Sequence, residues 1–454
     1  ELSSDKMRFV FSKKGAYITQ VIDKYNDKKI SISNIGLVPS WAAFDFSAQE
    51  ILRGVVFEYK SPDASLAIKK TYSIKSDYSL DLTISINDVT LSKQNIYDIF
   101  VGTFYPPQKD QVDAQEKANE RYQEASLYVN GIVSRKNIFG LKQNLDFDGK
   151  ILWASLRDRY FCAVISPHNI VNKGVADYTS SGRSLLLRVL RSGDQGPEQY
   201  EDRYMIFVGP QDERLLKNFR DSTEYIANFG TFDPISKGLL FLLNVAQGVT
   251  KNWGLAIILV TLIVFVITFP LSLKSMTSMK KIQALQPIVE ELKVKYKDNP
   301  QKMNMEVMEL YKREKANPLG GCLPMLLQIP VFFALYQVLM RLIHLRGANF
   351  LWIKDLSEPD RLITLQNTLP FIGNEINLLP LLMAIGMFFQ QKLSMSNTAS
   401  SSPQMAEQQK MMSIVMPIMF GVLFYKISSG LVLYWFVNSL LMMGFQWKIS
   451  RKKI

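Results

Sequence analysis

The chain has 454 residues, of which 47% are hydrophobic and 21% charged, with a formal net charge of +12 and a pI near 9.3. That length exceeds one domain, and that charge exceeds what a chain lying wholly in a bilayer carries, so a membrane part and a sizeable soluble part are expected together. Two cysteines, Cys162 and Cys322, exclude a disulfide scaffold, and two scattered histidines, His168 and His344, exclude a histidine-built metal site.

The first half reads as mostly β. Leu80, Leu82, Ile84 and Ile86 alternate with Asp81, Thr83, Ser85 and Asn87, which puts apolar side chains on one face of a strand and polar ones on the other. Comparable short strands are predicted at Val55 to Tyr59, Tyr160 to Ser166, Leu185 to Leu190 and Tyr204 to Val208. Many short strands joined by polar turns point to a β-sandwich domain over residues 1–232. The charged run Lys109 to Glu124 is predicted to be a solvated helix decorating it. No carboxylate pair, Ser/His/Asp set or glycine-rich phosphate loop stands out, so no catalytic residue is assigned.

Residues 233–250 follow Phe232-Asp233-Pro234 as an amphipathic segment, with Lys237, Asn244 and Gln247 spaced among Leu and Phe. It lacks the length and uniform apolarity to span, and is expected to lie in the outer interface of the membrane. Five apolar stretches then make a helical transmembrane core over residues 251–450: Gly254 to Leu273, residues 317–338, Leu378 to Phe389, Met411 to Tyr425 and Leu431 to Phe445. The second of them, NPLGGCLPMLLQIPVFFALYQV, opens on Asn317-Pro318 and a Gly-Gly pair, carries Pro324 and Pro330, and keeps Gln328 and Gln337 among Leu, Phe and Val. Helix breakers and uncharged polar side chains at bilayer depth are tolerated only where neighbouring helices or water satisfy them. This segment reads as a working surface.

Between the first two spans, Ile282, Leu285, Val289, Leu292 and Tyr296 fall at helical spacing, and Met303, Val307 and Leu310 continue the pattern after Asp298-Asn299-Pro300. That predicts a short antiparallel helical hairpin with an apolar seam over residues 274–316, with Pro287 kinking or breaking its first helix. Met276, Met279, Met303, Met305 and Met308 sit there beside many lysines, and the 396–412 loop adds Met405, Met411 and Met412. Flexible thioethers suit a surface that greets varied apolar segments; they also suit filling the hairpin seam, and the residues alone leave both open.

The basic residues are unevenly placed. Lys274, Lys280, Lys281, Lys293, Lys295, Lys297, Lys302, Lys312, Arg313 and Lys315 crowd the hairpin, and Lys448, Arg451, Lys452 and Lys453 the tail, whereas the loop from His344 to Asn377 holds only Arg346, Lys354 and Arg361. With five spans, the positive-inside rule makes hairpin and tail cytoplasmic and the β domain extracytoplasmic. No aromatic interleaving accompanies the charge, which argues against nucleic-acid recognition. The sequence opens at Glu1 without an apolar leader, so a cleaved signal or an anchor helix is expected to precede an exported domain.

The blocks LQPIVEELKVKY, ELYKREKANP, NPLGGCLPMLLQIPVFFALYQVLM, FLWIKDLSEPD and SSGLVLYWFVNSL resemble the YidC-type membrane protein insertases, relatives of the mitochondrial Oxa and chloroplast Alb proteins. The resemblance covers residues from about 235 to 450, and the β domain resembles the periplasmic domain of the Gram-negative branch. It implies a protein of the bacterial inner membrane whose five core helices form a groove that is polar, open to cytoplasm and lipid, and closed outside. Nascent membrane proteins would be its substrates, with the Sec translocase, the ribosome, signal-recognition components and membrane lipids as partners and no cofactor. Shortening the low-dielectric path lowers the cost of moving polar groups, roughly 2.5 to 3.5 kcal/mol per charged residue at the bilayer centre. No GxxxxGK[ST] motif occurs, so nucleotide hydrolysis is not implied.

In the family an arginine sits five residues before the proline that ends the first core span; here that proline is Pro270 and the position is Phe265. Helical spacing puts Thr261, Phe265, Thr268 and Ser272 on one face, so Phe265 interrupts a polar stripe. Either the residue has been changed or the groove works without a fixed charge. Thr261 and Trp435 match positions that line the family's substrate path; Gln328, Gln337, Gln390, Gln391, Tyr434 and Asn438 are groove candidates on polarity. The candidate capturing residues of the hairpin are Met276, Met279, Met303 and Met308. A transporter would show paired ionisable residues at the midplane or inverted repeats, and neither is visible. A sugar-converting protein would need acid/base residues in the sandwich and no hairpin.

Overall fold

In the computed structural model the strands of the first half outrun the apolar runs that predict them. The structure describes residues 1–25, 27–88, 94–105, 120–179, 182–192, 199–314, 316, 323–369, 373–396 and 403–451, and the chain divides into two units, Glu1–Asn228 and Phe229–Ile454. The alternation at residues 80–86 lies within strand Ser79–Asp88, and the other four predicted strands fall in Gly54–Lys60, Phe161–Pro167, Gly182–Ser192 and Gln199–Pro210, with Tyr160 just ahead of its strand. Polar residues extend them because they find partners across the ladder: the Ser184 hydroxyl, ahead of the run Leu185 to Leu190, meets the Thr103 hydroxyl at 3.0 Å. Of the predicted helix Lys109 to Glu124, residues 109–119 lie outside the described residues, and Glu124 opens a strand, Glu124–Val129.

The strands form a four-stranded antiparallel meander, beginning at Leu2–Ser3, and a long antiparallel sheet. In the long sheet, strands Gln94–Phe104 and Gln199–Pro210 stand five places apart. Yet Tyr97 donates its hydroxyl proton to Asp202 Oδ2 at 2.6 Å, and its oxygen lies 2.5 Å from the Tyr204 hydroxyl. The sheet therefore folds back on itself as a sandwich, with Phe104, Ile68 and Leu80 buried in it, whereas Trp153 belongs to a separate buried cluster with Leu216 and Ile226. Helix α1, Glu213–Phe219, follows the last strand, capped by Asp212 accepting from Arg214 N and Leu215 N.

Lys70 is fully buried in this unit, and its Nζ donates to the carbonyls of Gly15, Ala16 and Gly36 at 3.0 to 3.1 Å. Burial pushes its pKa down to about 7, against 10.5 for an ordinary lysine. Between those values the unfolded chain binds one proton more than the folded one, so stability rises with pH across that window. The urea midpoint of the sandwich unit is expected to correspond to about 1 to 2 kcal/mol more stability at pH 8.5 than at pH 7. Lys70→Met should flatten that rise, and an equally steep rise in the variant would contradict the assignment.

The second unit is helical. Its helices are α2 (Asp233–Thr250), α3 (Trp253–Ala284), α4 (Gln286–Lys295), α5 (Pro300–Arg313), α6 (Leu323–Arg341), α7 (Leu378–Ser396), α8 (Pro403–Leu423) and α9 (Ser429–Arg451). Among the described residues Trp253–Ser278 is long and apolar enough by itself to cross a membrane, and shorter apolar stretches run over Leu378–Leu393 and Ser413–Leu423. Pro270 does not end the first span: α3 continues to Ala284, because a proline inside a helix forfeits one backbone bond without stopping neighbouring turns. Pro287 instead starts α4 after a break at Leu285, where its missing N–H costs nothing. Met405, Met411 and Met412 lie on α8, not in a loop. The Asn317-Pro318 and Gly-Gly opening of the second span lies outside the described residues.

Candidate functional site

The helical unit is sealed at one end and splayed at the other. At the sealed end, Ala256, Ile257 and Val260 of α3, Leu335 and Val338 of α6, Met383 of α7 and Leu431 of α9 share one buried core. Leu239 and Leu243 of α2 join it, and the Ser236 hydroxyl donates to the Ala334 carbonyl at 3.2 Å. Gly254 lets Phe350 press onto the start of α3, since a Cβ there would stand 2.1 Å from the Phe350 ring. The FLWIKDLSEPD segment closes this end with hydrogen bonds. Asp360 Oδ2 accepts from Leu378 N and Leu379 N at 2.9 Å and from Trp352 Nε1 at 3.0 Å, capping α7. Gly430 N and Ser429 N, at the start of α9, donate to the carbonyls of Leu356 and Glu358 at 2.9 and 2.7 Å.

The other half is less covered on α3 and α8. On α3, Val266 and Ile267 are 61% and 68% exposed, and on α8 Met411, Ile414, Val415 and Ile418 are exposed. No Asp, Glu, Lys or Arg occurs between Trp253 and Leu273, Leu323 and Met340, Leu378 and Gln391, or Ser429 and Trp447. These stretches of α3, α6, α7 and α9 are therefore uncharged.

The candidate residues distribute unevenly over this frame. Gln328 of α6 donates from Nε2 to the Tyr434 hydroxyl of α9 at 2.7 Å, so these two meet directly. Trp435 stands in an aromatic cluster with Phe332 of α6 at 4.9 Å, Phe420 of α8 at 5.4 Å and Phe424, just past the end of α8, at 5.6 Å. Thr261 is buried against the sealed-end core, and its hydroxyl donates to its own helix at Ile257 O. Thr268 and Ser272 turn back in the same way, to Val264 O and Thr268 O. The stripe is thus polar in sequence but spends its hydroxyls on α3 itself. Phe265 lies 6.2 Å from Phe269 and 6.3 Å from Phe445 of α9, while Phe269 and Phe445 approach to 4.7 Å. Gln337, Gln390, Gln391 and Asn438 are half-buried, and the buried Gln337 Oε1 accepts no hydrogen bond from a described residue.

Two participants escaped the sequence reading. Phe445 completes the aromatic contact with Phe265, and Gln446 is buried with its Oε1 unpartnered among the described residues. Gln446 follows Trp435 and Ser439 at helical spacing, a signal that was legible but lay beyond the SSGLVLYWFVNSL block.

The hairpin of α4 and α5 extends from the splayed end. Asn299 caps α5 by accepting from Lys302 N at 3.0 Å, and Val289 and Leu310 are the buried residues of the seam. Met303 is half-buried beside them, whereas Met308 and Met305 are exposed, with Val294 and Ile288. Met276 is half-buried on α3, and the Met279 side chain lies outside the described residues.

A helical membrane unit with one sealed and one splayed end, joined in sequence to a β-sandwich unit, defines a polytopic membrane protein with an extramembrane all-β part. Residues 245–454 match the family described as 60Kd inner membrane protein, and residues 41–242 the family described as YidC periplasmic domain. Three similar proteins, each named membrane protein insertase YidC, come from Chlorobaculum tepidum, Endomicrobium trichonymphae and Syntrophobacter fumaroxidans, at 34%, 33% and 31% identity. The matches cover 82%, 88% and 99% of this chain, and 64%, 73% and 80% of the respective relatives. Among solved structures, an active YidC insertase with its first transmembrane domain resolved is similar over 99% of this chain and 92% of its own, at 18% identity and a TM-score of 0.43. The chain belongs to the YidC family of membrane protein insertases.

Proposed function

We propose that the chain moves apolar segments of nascent proteins into the bacterial inner membrane, alone or with the Sec translocase, and performs no bond-making chemistry. The observation that carries this reading is the asymmetry of the helical unit, packed and capped at one end, splayed, uncharged and apolar-walled at the other. The basic hairpin marks the splayed end as cytoplasmic, so residues 1–232 are periplasmic and α2 lies in the outer interface. A substrate helix slides along the exposed apolar faces while its short polar flank occupies the region bounded by Phe265, Thr268, Gln328, Gln390, Tyr434, Trp435 and Asn438. Exposed Met308 and Met305 on a basic hairpin favour capture over seam filling. Ribosome and signal-recognition contacts belong to the same reading.

Cysteine cross-linking to a stalled nascent chain tests it. Phe269→Cys, in the splayed half, is expected to form an adduct, and Val264→Cys, buried in the sealed-end core, is not. Adducts of equal yield at both positions would overturn the placement.

A further inference from the structure

α7 and α8 touch at one level and part at the next. A Cβ on Gly421 would stand 3.2 Å from the Ala384 Cβ, so the helices are in direct contact there. Towards the splayed end, Pro417 sits inside α8, and the space between the helices opens into a cavity of about 390 Å³. Ile385, Phe388 and Phe389 of α7 face Ile414, Pro417 and Ile418 of α8 across it, and no polar residue among those described lines it. Ile385, Phe389, Ile414 and Ile418 are also exposed, so the cavity opens outward from the unit.

Lys392 follows Ile385, Phe388 and Phe389 by seven, four and three residues, which places it on the same face of α7, about one turn nearer the splayed end. It is exposed and forms no ion pair with a described residue. We propose that this cavity holds an acyl chain of an anionic phospholipid of the surrounding bilayer, with the headgroup phosphate on Lys392. Volume decides against a protein helix as occupant: an α-helix about 10 Å across fills on the order of 420 Å³ per turn, so not one turn fits. A flexible chain suits an apolar cleft of that size. The Lys392 cation at headgroup depth selects anionic over zwitterionic lipid, as basic sites at the ends of membrane helices do.

Native mass spectrometry of the full chain, with phosphatidylglycerol and phosphatidylcholine added in equal amounts, tests this. One phosphatidylglycerol is expected to be retained about fivefold over phosphatidylcholine. Lys392→Gln should bring the two to parity, and Ile418→Trp, which fills the cavity, should lower retention of both. Lys392 is exposed, so its variant carries the test even if Ile418→Trp fails to fold. Equal retention of both lipids by the unaltered chain, or an unchanged preference in Lys392→Gln, overturns the proposal. Displacement of the lipid by an apolar helical peptide does so too. The inference needs only the membrane placement of the bundle. Retention is read without an insertion substrate, so its failure is distinct from failure of the insertion reading.

Discussion

Deletion of residues 276–315 is expected to abolish insertion while α6 to α9 keep their packing. The seam of the hairpin is internal, Val289 against Leu310, so its removal exposes little of the core that joins α3, α6, α7 and α9. What is lost is the exposed apolar surface of Ile288, Val294, Met305 and Met308, set among lysines, where an emerging apolar segment is first held. Protease protection of a small two-span substrate reads the insertion, and circular dichroism reads the helices. Retained insertion in a folded deletion variant would remove the hairpin from the mechanism.

Trp435→Ala is expected to destabilise the helical unit by about 3 to 5 kcal/mol, the usual cost of deleting a large aromatic side chain from a packed site. The indole meets Phe332 edge-on and stacks on Phe420, so it joins α6 and α8 through α9. Removing it leaves a cavity where three helices meet and frees α8, whose other faces are largely exposed. Unfolding in graded denaturing detergent checks the loss, and Trp435→Phe should recover a part of it. An unchanged midpoint in Trp435→Ala would show that α8 is held by α7 alone.

Much of the fold was legible because local patterns and tertiary packing agree. The alternation at residues 80–86 is a strand that also serves the sandwich core, and Asn299-Pro300 is both the sequence signal and the physical cap of α5. Other features depend on partners distant in sequence. The extension of strand Gly182–Ser192 ahead of its apolar run has Ser184 meet Thr103, 81 residues away. Pro270 looked like a helix end because the apolar run stops nearby, yet hydrogen bonds on both sides carry α3 through. The polar stripe Thr261, Thr268 and Ser272 was correctly placed on one helix. That its hydroxyls bond their own carbonyls is a matter of side-chain rotamers that spacing does not encode. Phe265 stood out against the family arginine, but its partner Phe445 is 180 residues away, and only the approach of α3 to α9 brings them together.

The central claim is that an uncharged splayed region suffices for insertion. The most direct measurement is protease protection of a two-span substrate in liposomes containing this chain, with Phe265→Arg run in parallel. Comparable protection by both proteins is the predicted result. Protection by Phe265→Arg alone would contradict the account, because a fixed positive charge among α3, α6 and α9 would then be required for the step.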